Sequence, residues 1–241
     1  SFFRFWRGSV NPSITYSEFQ NGLNFKFITA TAELKKTPAE LKSYHPFLFS
    51  EQNIALGLPA EIALVEYDSE EKYLAYRSTE EGKKYSDMHW DYFDKLNSKS
   101  LLPAAYINQK LEFEKSYFVF KSNQKTFSSG VVYTTVIKRN LLTTEDAWKE
   151  QIAMHIQYLN DQHVFGQINI VTAEYFIEYT QWENESDKIN SDLNTAYTAV
   201  YPQSGPVDII QDPLYETQNI LVNSRLQKGY VLDTDAGLSF Q

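Results

Sequence analysis

The chain has 241 residues, with 22 Lys and Arg against 31 Asp and Glu, a net charge of −9 at pH 7, and no cysteine. That length allows one large domain or two small ones, with a sizeable core that needs no covalent staples. Missing cysteine excludes disulfides, thiolate metal sites and cysteine nucleophiles, while the acidic balance without a basic run argues against nucleic acid or an anionic membrane as partner.

No apolar run approaches the roughly 20 residues needed to span a bilayer. The chain opens at Ser1 without a methionine, which fits a removed leader or a trimmed chain. The cytoplasm is the favoured location, although the composition is equally compatible with an oxidising compartment. The informative excess is aromatic, with 16 Phe, 17 Tyr and 4 Trp. Buried tyrosines need partners for their hydroxyls, so this many suggests a sheet-rich fold with a large interior or an extensive interface.

In chain order, Phe2 to Val10 reads as a first strand, with Phe3 and Phe5 facing one way and Arg4 and Trp6 the other. Ser17 with Gln20 suggests a capping box, and Phe19, Leu23, Phe27 and Ile28 recur at helical spacing to about Leu34. Lys35 to Glu61 is mixed, with a short strand near Phe47 to Phe49. In Glu61 to Ser78 a strand runs straight into a helix: Ala63, Val65 and Tyr67 share one face, and Asp68 and Ser69 offer caps. The helical pattern continues past Gly82 through Tyr85, Met88, His89 and Phe93. Leu101 to Tyr106, containing Pro103, reads as a returning edge strand, where proline is tolerated.

The second half repeats this order. Tyr117 to Phe120 is a short strand, Gln124 to Gly130 a turn, and Val131 to Lys138 the strongest β-run. Thr143 or Thr144 caps a helix whose Trp148, Ile152, His155, Ile156 and Leu159 form one apolar stripe. Strands follow at Gln167 to Thr172 and Glu174 to Trp182, then a helix from about Ser186 to Leu193 and a strand at Ala196 to Tyr201. After Pro202 the pattern lapses, leaving short strands at Val207 to Ile210, Ile220 to Asn223 and Tyr230 to Leu232. The expected organisation is a first unit over 1–115, a second over 116–201 and a packed extension over 202–241.

Twice strand, helix, strand, strand, helix, strand is the ferredoxin-like βαββαβ order. The predicted fold is α+β: two such units forming an intrachain dimeric α+β barrel by internal duplication. The strand-to-helix stretches "E-Y-D-S-E-E" at Glu66 to Glu71 and "Q-W-E-N-E-S" at Gln181 to Ser186 resemble those of the antibiotic-biosynthesis-monooxygenase-like family. That resemblance covers roughly residues 1 to 201. It implies a cavity between each sheet and its partner. Members include cofactor-free oxygenases of phenolic polyketides, heme-degrading enzymes, chlorite-dismutase-like heme proteins, and proteins with no known chemistry. Fold alone does not choose among these.

If Ile177 and Tyr179 pack on helices, Glu178 and Thr180 point into the cavity, and Glu178 is the candidate base; the alternative is a structural hydrogen bond to Arg4 or a tyrosine. Tyr133 and Thr135 line the same space, as do Arg4 and Trp6 in the first half, where Arg4 suits an anionic ligand. Tyr67 and Trp182, at matching places in the two strand-to-helix stretches, complete the candidate ligand-binding set. His89, late in its helix, loosely matches the heme ligand of heme-degrading relatives, though a Tyr stands where they carry an upstream Trp; the alternative is a helix histidine beside Asp87 and Asp91. His155 reads as a satisfied core histidine. His45 and His163 show no partner spacing, so a protein-built metal site is not expected. Glycine-rich phosphate loops and Gly-x-Ser-x-Gly are absent.

These residues predict a protein that binds a small aromatic or apolar molecule without a cofactor, with oxygenase-like chemistry as one outcome. Two alternatives remain open: a non-catalytic member whose aromatics build a homo-oligomer interface, and a heme protein using His89.

Overall fold

A computed structural model describes residues 1–101, 103–105, 110–121, 126–128, 131–139, 142–162, 164–183, 208–210, 230–233 and 237–240. The chain divides into two compact units, one of residues 1–100, 126–128 and 214–241, the other of 101–125 and 129–213. The fold class is α+β, of the type found in dimeric α+β barrels, with two ferredoxin-like units in one chain.

In the first unit, β1 (Phe2–Gly8) leads into a helical segment. It starts at the Thr15 cap, whose hydroxyl accepts from Glu18 N–H while the Glu18 carboxylate accepts from Thr15 N–H. Helix α1 (Tyr16–Gly22) passes through a π-turn at Leu23–Phe27 into α2 (Ile28–Ala32) and a 3₁₀ turn at Glu33–Lys36. The π-turn is marked by the Ile28 N–H reaching back five residues to the Leu23 carbonyl. Strand β2 (Leu41–Leu48) follows, longer than the short strand expected near Phe47. It lies at the sheet edge, which is why Pro46 is accommodated within it.

After a short helix α3 (Glu51–Ala55) comes β3 (Glu61–Tyr67), paired antiparallel with both β1 and β2. The expected long helix is two: α4 (Glu70–Arg77) and α5 (Glu80–Tyr92), each with its own cap, Ser69 and Thr79. The break falls at Ser78 and Thr79. Gly82 is required just beyond it, since a Cβ there would lie 2.0 Å from the Tyr76 carbonyl oxygen. Strand β4 (Lys99–Leu101) completes the order β2-β3-β1-β4, the ferredoxin-like arrangement. Its core is aromatic: Phe19, Leu23, Phe27, Tyr44, Tyr67 and Phe93 pack into one cluster.

The second unit starts at the sheet edge with β5 (Pro103–Ala105), which pairs parallel to β6 (Lys115–Phe120). Then come β7 (Val131–Lys138), α6 (Glu145–Asn160) capped by Thr144, β8 (Gly166–Val171), β9 (Tyr175–Trp182) and β10 (Asp208–Ile210). The sheet order is β10-β7-β9-β8-β6-β5. Read from β7, the four strands β10-β7-β9-β8 repeat the order of the first sheet, with β6 and β5 added beyond β8. Strands β11 (Tyr230–Asp233) and β12 (Gly237–Phe240) form a separate antiparallel pair. The helix expected at Ser186 to Leu193, the strands expected at Ala196 to Tyr201 and Ile220 to Asn223, and His163 lie outside the described residues.

Candidate functional site

Strand alternation decides what β1 and β3 present to the helices of the first unit. Arg4 and Trp6 of β1 face the same side as Glu61, Ala63, Val65 and Tyr67 of β3, because Arg4 pairs with Val65, Trp6 with Ala63 and Gly8 with Glu61. Tyr44 of β2 joins them opposite Val65. Against this face stand Phe27 and Thr31 of the first helical segment, Tyr73, Tyr76 and Arg77 of α4, and Tyr85, His89 and Trp90 of α5. Together they enclose a cavity of about 280 Å³. The small side chains Ala39, Ala63 and Gly82 on its wall leave that volume open. The size falls just below the roughly 300–1,000 Å³ typical of small-molecule sites.

One end of the cavity is cationic. The Arg4 guanidinium donates to Ser100 Oγ at 2.8 Å and lies 4.8 Å from the centre of the Tyr73 ring. Burial, and secondarily the nearby Arg77, lowers its pKa, yet a guanidinium stays charged in proteins. Tyr67 beside it is pushed up to about 12 by burial, so its hydroxyl keeps its proton.

The middle is an aromatic collar around His89. Phe27, Trp6 and Tyr85 meet its ring edge-on with centroids at 4.7, 5.2 and 5.2 Å. His89 Nδ1 donates to the Ser86 carbonyl at 2.9 Å, which fixes the neutral tautomer and leaves Nε2 as an acceptor. Burial pulls the imidazole pKa down to about 4, so the ring is neutral at pH 7. Tyr85 and Thr31 share a hydrogen bond of 2.7 Å, with Thr31 donating onward to the Phe27 carbonyl.

Glu61 lies on the far side. It is fully buried, and neither carboxylate oxygen has a hydrogen-bond partner among the described residues. Burial raises its pKa well above the ordinary 4.5.

Four of the sequence-predicted residues, Arg4, Trp6, Tyr67 and His89, thus meet around one cavity, although it lies between the sheet and the helices and not on the face toward a partner sheet where Arg4 and Trp6 were expected. Heme does not fit there. The cavity of about 280 Å³ is small even for a drug-sized ligand and too small for a heme.

The remaining candidates are elsewhere, and their orientation is a correction. Glu178, Thr180 and Trp182 of β9 were expected to turn away from the helices; they face α6 instead. Glu178 is fully buried and bonded to His155 Nε2 of α6 at 2.5 Å. Thr135 stands directly opposite Glu178, and Tyr133 opposite Thr180. Thr180 Oγ1 accepts from Trp182 Nε1 at 2.9 Å, and Trp182 packs with Tyr133, Leu159 and Val164. Glu178 is therefore held by a helix histidine, as a structural carboxylate is, though its partner is neither Arg4 nor a tyrosine. His155 is the partnered core histidine expected from its stripe. His45 is also fully buried, in β2.

Sequence reasoning missed Glu61, Tyr85 and Arg77. Glu61 was legible from parity alone, since it shares the odd-numbered face of Ala63, Val65 and Tyr67.

No family model matches the chain, and no curated protein does. Solved structures give distant likenesses. A "putative monooxygenase" from Lactobacillus acidophilus NCFM aligns at 6% identity and a TM-score of 0.42, covering 87% of this chain and 92% of its own. A second "putative monooxygenase", from Fusobacterium nucleatum subsp. nucleatum, aligns at 8% identity and 0.42, with 87% and 92% covered. An anthrone oxidase-like protein aligns at 10% identity and 0.39, with 87% and 91% covered. Likeness at this level decides neither fold nor chemistry.

Proposed function

We propose that the cavity of the first unit binds a small aromatic compound carrying an acidic oxygen, and that the protein acts on it as a cofactor-independent, monooxygenase-like enzyme. The observation that carries this reading is the joining of a cationic end at Arg4 to an aromatic collar with one neutral acceptor, His89 Nε2. The same reading takes the two units as copies of one ancestral unit, of which the first keeps the site. It takes the working partner to be a small molecule rather than nucleic acid or membrane.

The chemistry follows from the charges. Arg4, half-buried, holds a phenolate or carboxylate by charge-assisted hydrogen bonds. In the empty cavity His89 is a weak base. An anion bound beside it raises the proton affinity of the imidazole, as any neighbouring negative charge does. His89 Nε2 then takes a proton from a methylene group conjugated to the anion. The resulting carbanion supplies electrons to dioxygen. Oxidation of the methylene to a carbonyl releases four electrons, dioxygen accepts four, one oxygen atom stays in the product and the other leaves as water with both methylene hydrogens. No external reductant enters the balance.

The test has two arms. Quenching of tryptophan fluorescence by 4-ethylbenzoate reports binding beside Trp6 and Trp90, and Arg4→Met is expected to abolish it. Oxygen uptake with 1,8-dihydroxyanthrone is expected at one dioxygen per substrate, lost in both Arg4→Met and His89→Phe. Uptake equal to that of buffer, with binding intact, would leave a binding protein and remove the enzymatic part.

A further inference from the structure

We infer that Glu61 and the Trp6 indole N–H form a second polar pole in this cavity, a pair of neutral donors that receives a carbonyl oxygen of the bound molecule. The inference rests on the proposed function and narrows its substrate class: an aromatic ketone or aldehyde that carries its acidic oxygen at the opposite end.

The geometry comes from the strand register. Glu61 pairs with Gly8 across β1 and β3. A Cβ on Gly8 would meet the Phe93 ring at 2.3 Å and Trp6 Nε1 at 2.8 Å, so both rings pack over that glycine, on the strand position that faces Glu61. Gly8 lets both rings come this close; any side chain there would push them away. Trp6 Nε1 is buried and, like both oxygens of Glu61, has no partner among the described residues. Orphaned buried polar groups are uncommon and costly, on the order of 1–3 kcal/mol each. Here the three such atoms belong to two residues, Glu61 and Trp6, that line one cavity.

Their chemistry is donor chemistry. Burial raises the Glu61 pKa well above the ordinary carboxyl value and so favours the protonated acid, and among the described residues its charge would act on the hydroxyls of Tyr44 and Tyr85, whose own pKa values burial also raises. A carboxylic acid kept neutral by an apolar site donates a strong hydrogen bond, and two converging donors suit one oxygen. Such an oxygen gains negative charge when a neighbouring C–H is deprotonated, so the pair would stabilise the enolate more than the ketone. Arg4 and Glu61 lie on opposite sides of the His89 collar, so the proton to be removed lies between the two poles.

The experiment compares 4-acetylbenzoate with 4-ethylbenzoate, which differ by a carbonyl against a methylene, by calorimetric titration of the full chain. Difference infrared spectroscopy of the labelled ketone carbonyl supplies a second readout. Wild type is expected to bind the acetyl compound about 10-fold tighter, with the carbonyl stretch shifted to lower wavenumber on binding. Glu61→Gln keeps a neutral donor and is expected to retain both effects. Glu61→Leu is expected to lose both. Should Glu61→Leu fail to fold, Trp6→Phe removes the other donor and is expected to halve the infrared shift. Equal affinity for the two compounds in wild type, or a preference untouched by Glu61→Leu, overturns the inference and leaves the cavity reading standing. Failure of both compounds to bind wild type overturns the two together.

Discussion

The layer between sheet and helix is built in opposite ways in the two units. In the first, β1 and β3 present Arg4, Trp6, Glu61 and Tyr67 to helices that stand off far enough to leave about 280 Å³ open. In the second, the side chains between the sheet and α6 pack on one another. Trp148, Ile152, Ile156, Ile137 and Phe176 form a cluster, and the one acid there, Glu178, is matched by His155. Both third strands carry a buried glutamate toward the helices, Glu61 and Glu178. One has a partner and the other has none. A shared strand order thus supports either a packed core or a receptive cavity, and the difference lies in how closely the helices approach the sheet and in whether its buried glutamate has a partner there.

The sharpest test of that contrast is tryptophan removal. Trp148 is fully buried and donates Nε1 to the Thr172 carbonyl at 2.9 Å. Trp148→Ala is expected to cost about 3–5 kcal/mol in urea denaturation. Trp6→Ala, which only widens an existing space, should cost clearly less; equal costs would dissolve the distinction.

Next in size is the response to acid. His89 has a folded pKa of about 4 against an ordinary 6.5, so the unfolded chain binds the proton more readily. Stability from this group is fully present above pH 6.5 and is lost as pH falls toward 4, by at most about 3 kcal/mol. The difference in unfolding free energy between wild type and His89→Phe, measured from pH 7 to 4, should follow that window. A flat difference would mean that the imidazole is not held neutral.

The two glutamates give the third test. Glu178→Leu strands His155 and should destabilise by about 1–3 kcal/mol. Glu61→Leu should be neutral or stabilising at pH 7. Because the folded pKa of Glu61 is raised, its contribution is present below 4.5 and declines as pH rises above that value. The advantage of Glu61→Leu over wild type should therefore grow with pH. Thermal melts that rank the two variants the other way round would reverse the assignment of partnered and unpartnered acids.

The smallest effect concerns the caps. Thr144→Ala in the second unit and Thr15→Ala in the first should each cost about 1 kcal/mol by urea denaturation. Thr15→Ala should cost the less, since the Thr15 backbone N–H still donates to the Glu18 carboxylate.

The order of strands and helices is legible in the sequence because turn residues, caps and periodicity agree for most elements. The face of β9 was not. Every residue from Tyr175 to Trp182 is buried, and aromatics occur on both parities, so alternation marks no outward side. Apolar Ile177 and Tyr179 looked like the helix-facing pair, yet the helix supplies a histidine, and that draws Glu178 toward it. On β1 alternation does separate Arg4 and Trp6 from Phe3 and Phe5, yet the expected side is reversed there as well: the cavity that Arg4 and Trp6 line lies between the sheet and the helices. Gly82 marks an interruption of the helix after β3 in the sequence, but Thr79 reads as one more polar residue until its hydroxyl is seen capping Gly82 N–H.

The π-turn at Leu23–Phe27 gives that stretch one residue more than an even α-screw would need for the same rise. Phe27 closes the turn and Thr31 follows one turn later, and both border the cavity. Losing a single residue there, at Lys26 for instance, would swing everything downstream by roughly 100° about the axis. The rim contributed by Phe27 and Thr31 would turn outward while every strand stayed in place. Spacing between Thr15 and Thr37 is therefore a dimension of the binding site, and relatives that keep the cavity should keep that interval to the residue.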